Sequence, residues 1–390
     1  MTTSAPDSRL LVLGIETSCD DTACAVVDGE GRVLSSVVSS QFAAHRPYGG
    51  VVPEIASREH LRSWPPVSAA ALAEAGLGLG EVGAVAATRG PGLVGSLLVG
   101  LSLGKAIAYA LGRPFHAVHH LEGHLYSPFL APPAPGDGTA VDPPQPARAI
   151  PERFVGLVVS GGHTNLFSVE GDAVVTLAET RDDAMGEVFD KLGKRLGLPY
   201  PQGPRIDALA ERGDPGGRFR FAVAACGDDR LDFSYSGLKS QALAAVAALE
   251  REGVAVDLGA GVGGGAAGGA AAAGGGAADD EAEPEPPPAL LDLLAAFRAA
   301  AVAQLIDRLE RLWRRRPFDL LALSGGVAAN RLLRREAAAW CAERGVELAA
   351  VPLAYSGDNA AMIAHAGLLR QRRGDSDDPF AAEAASRIPI

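Results

Sequence analysis

The chain has 390 residues, 47% of them hydrophobic and 21% charged, with a formal net charge of −12. Its length suits two packed domains and its composition a soluble globular protein. So acidic a chain is not a general nucleic-acid binder, because phosphate contacts need lysine and arginine; any RNA site must be a local basic patch or be completed by a partner.

The apolar run Leu10–Ile15 predicts a buried strand, followed by the polar loop 16–22. Ala23–Val27 and Val33–Ser39 predict two more strands, joined by a hairpin turn at Asp28-Gly-Glu-Gly31. Val82–Ala87 reads as a strand, and the glycine-rich turn 90–95 leads into a helix over Ser96–Leu111. Residues 131–151 are rich in Pro, Gly and Ala and are expected to form a mobile loop. A second series follows: a strand at Phe154–Ser160, a Gly-Gly turn, and a strand at Thr164–Val169. The repeated plan suggests two related halves. Residues 259–288 are nearly pure Gly and Ala and then acidic and Pro-rich, which predicts a disordered insertion. Helical periodicity covers Leu290–Arg316, and the strand Leu320–Leu323 opens onto Ser324-Gly-Gly-Val-Ala-Ala-Asn330. An apolar helix over Ala361–Leu369 follows Ser356-Gly-Asp-Asn-Ala360.

Four cysteines, Cys19, Cys24, Cys226 and Cys341, are too few and too scattered for a disulfide framework, and no spacing among them is a zinc signature. The N-terminal apolar run is too short for a signal-peptide core. The stretch Gly95–Leu111 contains Lys105 and is shorter than a membrane span. A cytoplasmic protein without a membrane contact is expected.

Several loops could carry chemistry. His120 and His124, at i and i+4, would lie on one helix face and could chelate a metal ion, although the pair is also compatible with a plain polar surface. The zinc-protease motif is absent, since Leu121 rather than Glu follows the first histidine. Ser160-Gly-Gly-His-Thr-Asn165 is either a tight hairpin or an anion site built from exposed N–H groups. Ser324 to Asn330 repeats that design at a helix start, where a phosphate or ribose could sit. Asp358 is either a helix cap or a ligand. Of the carboxylates at 182–190, Asp190 is expected to face inward. Basic clusters occur at Lys191, Lys194 and Arg195, at Arg311 and 314–316, and at Arg331, Arg334 and Arg335; each reads first as a solvated helix face.

Taken in order, eight motifs resemble one family, the TsaD family of tRNA N6-adenosine threonylcarbamoyltransferases. They are Gly14-Ile-Glu-Thr-Ser-Cys-Asp-Asp-Thr22, Tyr48-Gly-Gly-Val-Val-Pro-Glu-Ile-Ala-Ser57, Gly90-Pro-Gly-Leu-Val-Gly-Ser96, His120-Leu-Glu-Gly-His124, Val159-Ser-Gly-Gly-His-Thr164, Gly186-Glu-Val-Phe-Asp-Lys191, the loop 324–330, and Ser356-Gly-Asp-Asn359. The resemblance implies the α/β fold shared by actin, Hsp70 chaperones and sugar kinases: two ribonuclease H-like domains, here divided at 1–125 and 126–390, with a metal and nucleotide cleft between them and a C-terminal helix that could pack back on the first. It implies transfer of a threonylcarbamoyl group from threonylcarbamoyl-adenylate to N6 of adenosine 37 in the anticodon loop of tRNAs reading codons that begin with A. It implies His120, His124 and Asp358 as ligands of one iron(II) ion, with zinc chemically admissible. It implies that Val158, Val159, Ser160, Gly161, Gly162, Asp190, Gly203, Asp207 and Asn330 hold the adenylate. The implied partners are a small paralogue, TsaB, and a P-loop ATPase, TsaE. After Tyr200-Pro201 stand Gln202 and Gly203, where the family often has two glycines. Two rivals are a glycoprotein metalloendopeptidase and a non-catalytic nucleotide-binding scaffold. The helices around Lys191–Arg195 and Arg331–Arg335 are the expected RNA surface.

Overall fold

The structure, a computed structural model, describes residues 9–131, 148–224, 230–259 and 285–390. Most of the expected loop 131–151 and of the insertion 259–288, and also Cys226, lie outside the described residues. The first half opens with β1 (Leu11–Glu16), β2 (Asp21–Asp28) and β3 (Val33–Ser40), then α1 (Phe42–His45) and α2 (Pro53–Ala75). It continues with β4 (Ala84–Gly90), α3 (Val94–Leu111), β5 (Phe115–His119) and α4 (His120–Tyr126). The second half contains β6 (Arg153–Val159), β7 (Thr164–Glu170), β8 (Ala173–Glu179), α5 (Met185–Arg195), α6 (Gly203–Ala210) and α7 (Ser236–Arg251). It ends with α8 (Pro288–Arg315), β9 (Leu320–Ser324), α9 (Arg331–Arg344), β10 (Glu347–Ala350) and α10 (Ala360–Arg373).

Each half carries a five-stranded sheet, in the orders β3-β2-β1-β4-β5 and β10-β9-β6-β7-β8. In both, the opening meander pairs antiparallel, and the two later strands add parallel on the other side of the first. The same connectivity thus occurs twice, giving the actin-like arrangement of two ribonuclease H-like halves. β1, β4 and β9 read as apolar runs because both sheet faces are covered by helices.

Two helices cross between the halves. α4 follows the last strand of the first sheet, yet its Leu125 packs on β6; a Cβ on Gly156 would stand 2.1 Å from Leu125 Cδ1. α10 follows the last strand of the second sheet, yet it lies on the first: a Cβ on Gly14 would stand 2.2 Å from the Ala360 carbonyl, and one on Gly367 2.5 Å from Ala86 Cβ. The two helices touch at Gly123, beside Met362 and Ile363. The boundary drawn at 125/126 falls inside α4, and the chain beyond α10 returns to the first sheet, where Asp377 bridges Phe115. Among the described residues two helices, Val94–Leu111 and Pro288–Arg315, are long and apolar enough to span a bilayer, the first contrary to the expectation that it is too short; both pack on the protein through buried faces such as Leu97, Leu101 and Ala108, and Leu294, Phe297 and Leu305.

Candidate metal centre and nucleotide cleft

The crossing of α4 and α10 brings three donors together. His119 caps α4, its Nδ1 accepting from Leu121 N at 3.2 Å, and this fixes where His120 and His124 project. At the other helix, Asn359 rather than Asp358 is the cap: its Oδ1 accepts from Met362 N at 3.0 Å. Asp358 is thereby left to face the histidines. Its Oδ1 lies 3.1 Å from His124 Nε2 and 3.6 Å from His120 Nε2. One donor atom from each of the three lies within 4.8 Å of the others.

Behind His120 stands a residue that the sequence reading passed over. Glu16, fully buried at the end of β1, accepts from His120 Nδ1 at 3.1 Å. Thr88 Oγ1 on β4 donates to the same carboxylate at 2.6 Å, and Ser18 N donates to its other oxygen. This sets the His120 tautomer and turns Nε2 toward Asp358, the carboxylate–histidine arrangement that supports metal ligands. His124 lacks such support, since its Nδ1 has no partner among the described residues.

Electrostatics favour a cation here. Burial alone would lower His120, but Asp358 and Glu16 outweigh it and push the ring up to about 9. Burial also opposes ionisation of Asp358, yet His120 and His124 hold it well below the usual carboxylate range. Nearby Asp21 is pushed up to about 7 by burial and by the charges of Asp358 and Asp20. Two imidazoles and one carboxylate converge on one point within an acidic surround, a donor set that fits a divalent ion. Glu122 takes no part. It turns toward Arg373, whose Nη2 is 3.7 Å away, so no carboxylate of α4 is placed as a protease-type base.

The loop after β6 approaches from the second half. Val158 and Val159 are buried, pairing with Asn165 and Thr164 across the hairpin. The hairpin turn is held by Ser160 N donating to the His163 carbonyl at 2.8 Å and His163 N donating to Ser160 Oγ at 3.2 Å. Gly161 and Gly162 face open space. The His163 ring lies 6.5 Å from that of His120. Burial, then the positive charge at His120, lowers His163 to about 4, so it is neutral. Two other glycines permit the close approach of neighbouring elements. A Cβ on Gly186, at the start of α5, would stand 2.6 Å from the Ser160 carbonyl; Gly325, at φ +91°, would place one 2.3 Å from the Val159 carbonyl.

The remaining residues expected at the adenylate form two pairs. Asp190 Oδ1 accepts from Gly203 N at 3.1 Å, and burial pushes the Asp190 carboxyl up to about 6. Asp207 Oδ2 accepts from Arg331 N at 3.2 Å, next to Asn330. Both members of the second pair have structural work. Asn330 Oδ1 caps α9 through Leu333 N at 2.9 Å, and Asp207 Oδ1 pairs with buried Arg298 at 2.8 Å.

The basic clusters are largely neutralised. Lys191 pairs with Asp183 and Glu187, Arg195 with Glu250, Arg314 with Glu310 and Arg316 with Glu170. Arg334 donates to the Ala328 and Val351 carbonyls, and Arg335 lies 4.0 Å from Glu211. These paired side chains are not free for phosphate, whereas Lys194 of the first cluster has no carboxylate partner among the described residues.

Comparison with known proteins follows the same lines. The model of the TsaD family, tRNA N6-adenosine threonylcarbamoyltransferase, matches residues 32–365. A protein so named from Pelobacter propionicus is 46% identical over 359 residues, covering 92% of this chain and 91% of that one. One from Anaeromyxobacter dehalogenans is 45% identical over 370 residues, covering 94% and 96%. Among solved structures, HypF of T. kodakarensis superposes with a TM-score of 0.54 at 14% identity, over 93% of this chain and 47% of that one, a likeness of fold alone.

Proposed function

The chain belongs to the tRNA N6-adenosine threonylcarbamoyltransferase family, and from that premise we propose that it moves the threonylcarbamoyl group of threonylcarbamoyl-adenylate onto N6 of adenosine 37 in the anticodon loop of tRNA. The observation that carries the site reading is the convergence of His120, His124 and Asp358 beside the open Ser160–Gly162 turn. The N6 amine attacks the carbamoyl carbonyl carbon. A C–N bond forms as the bond to the adenylate oxygen breaks, the amine's proton passes to solvent, and AMP leaves with the bonding electron pair on its phosphate oxygen.

The triplet would hold one iron(II) ion, with zinc chemically admissible. Such an ion supplies electrostatic stabilisation for charge developing on substrate oxygens. The chain's own residues do the rest. Glu16 keeps His120 Nε2 directed at the site, and neutral His163 closes one side without adding charge. The Gly161-Gly162 turn offers backbone to an anion, where no side chain obstructs the approach. Asp190 with Gly203, and Asp207 with Asn330, would hold the adenosine. Adenylate is a good leaving group, so positioning carries much of the catalysis.

The partner expected from the family, a shorter paralogue, would sit on an exposed apolar patch of the first half. Leu61 on α2 and Val94 and Leu98 on α3 are 61%, 46% and 50% exposed, on two helices closed against each other at Gly95 and Ser57. The P-loop ATPase would join that assembly. A reducing cytoplasm suits the free thiols Cys19, Cys24 and Cys341.

The test is genetic. Cells whose only copy carries Asp358→Ala should hold tRNA without threonylcarbamoyl-adenosine, measured by mass spectrometry of digested tRNA. A fully modified pool would instead favour a scaffold.

A further inference from the structure

On the flank of the cleft, the turn that follows α1 meets the end of α5 and the loop before α6. Between them lies an open cavity of about 400 Å³, lined by Arg46, Tyr48, Lys194, Tyr200 and Gln202 among others. Both halves of the molecule contribute to it. Tyr200 ties them together: its hydroxyl donates to Asp20 Oδ2 at 3.0 Å, and its ring meets Phe42 edge-on at 5.5 Å. Gln202 lines the cavity, and the next residue, Gly203, donates its N–H to Asp190.

Three features set this cavity apart. Tyr48 is 56% exposed, a large ring with nothing stacked on it among the described residues. Arg46 is exposed and meets no carboxylate among them. Lys194 is exposed, and its ammonium has no carboxylate partner among the described residues, its hydrogen bond there being to the Tyr48 carbonyl at 3.4 Å, although its neighbours Lys191 and Arg195 are both ion-paired. In a chain of net charge −12, two cations left without acidic partners beside a free aromatic face form a local site for an anion attached to a ring.

We propose that this cavity receives an unpaired nucleotide of the tRNA loop that carries the target adenosine, its base stacked on Tyr48 and its phosphate held by Arg46 and Lys194. The proposal rests on the transferase reading above and adds to it where the RNA docks. Bases in single-stranded loops splay onto aromatic rings, and the backbone beside them is neutralised by nearby cations. The position suits it: a nucleotide held here lies on the rim of the cleft whose floor carries Asp190, so a neighbouring residue of the same loop can reach inward. Gly49, at φ +63°, packs against the Lys194 chain, which keeps the ammonium at the rim.

The experiment uses the full chain with its partners, unmodified tRNA and threonylcarbamoyl-adenylate. Tyr48→Ala should raise KM for tRNA about tenfold, the loss confined to that constant, while Tyr48→Phe restores it, because stacking needs the ring and not the hydroxyl. Arg46→Ala with Lys194→Ala should weaken tRNA binding and make its dependence on salt shallower by about one to two ions. Wild-type activity with unchanged tRNA KM and salt slope in these variants would overturn the docking site alone. Absence of transfer by the wild type would overturn the transferase reading instead. A loss of adenylate affinity in Tyr48→Ala would also overturn the docking site, by assigning the cavity to the small substrate.

Discussion

Glu16 Oε2 accepts the hydrogen bond of His120 Nδ1 at 3.1 Å, joining the end of the first strand to a helix that begins more than a hundred residues later. The buried carboxylate orients the imidazole and raises its basicity, so at the proposed metal site it would bear on binding without touching the ion. Glu16→Gln should weaken metal binding roughly 10- to 100-fold. Competition against a chelator measures this, with circular dichroism confirming the fold. Equal affinity in wild type and variant would mean that the His120 ring is oriented by other contacts.

The same environment makes metal loading depend on pH. In metal-free protein His120, pushed up to about 9 against the cost of burial by Asp358 and Glu16, carries a proton at neutral pH. Metal must displace that proton, so apparent affinity should rise about tenfold per unit as pH climbs toward 9. Stability of the metal-free chain should run the other way. The folded value lies above the ordinary imidazole value of about 6.5, so this contribution is complete below pH 6.5 and fades as pH rises through about 9. Melting temperatures of chelated protein across that window should fall more steeply for wild type than for His120→Gln. Parallel curves would contradict the assignment.

Gly14 sets from a distance where Asp358, the third donor of the proposed metal site, can lie. Its missing Cβ lets α10 lie directly on β1, with the Ala360 carbonyl where the methyl would be. Asp358 sits two residues before that carbonyl. Gly14→Ala should therefore cost about 1–3 kcal/mol of stability and weaken metal binding together. Urea unfolding and metal titration on one preparation test the coupling; a variant destabilised but with intact affinity would break it.

Much of this fold could be read in the sequence because buried strands announce themselves. Leu11–Glu16 and Leu320–Ser324 are continuous apolar runs ending in polar loops. β5 (Phe115–His119) escaped because its histidines, though buried, break the apolar run. β8 (Ala173–Glu179) is an exposed edge, and α2 carries Pro65 and Pro66 within it, which reads as a break. The site divides in the same manner. His120 and His124 are visible through their spacing. Asp358 is ambiguous until Asn359 is seen to take the cap. Glu16 is invisible, since a carboxylate at a strand end gives no sign of facing a distant helix. Ion pairing is hidden in the same way: local charge does not reveal distant acidic partners such as Glu250 for Arg195 and Glu170 for Arg316.

Arg298 holds two carboxylates in a buried setting, with Asp207 Oδ1 at 2.8 Å and Glu211 Oε1 at 2.5 Å. Arg298→Ala would leave Asp207 without its buried counter-charge, while Glu211, partly exposed, keeps Arg335 nearby; the change should destabilise the chain by about 3 kcal/mol. Asp207 would shift with it, so adenylate affinity should fall as well. Denaturant unfolding checks the first outcome and calorimetric titration with a non-hydrolysable adenylate the second.

The most direct measurement is transfer itself: this chain, its small partners, unmodified tRNA with an anticodon reading codons that begin with A, and threonylcarbamoyl-adenylate, with and without chelator. Modified adenosine should form, disappear when metal is stripped, return on adding iron(II), and be absent with His124→Ala. No product from folded, metal-loaded wild-type protein would contradict the transferase reading, and product undiminished by thorough chelation would contradict the role given to His120, His124 and Asp358.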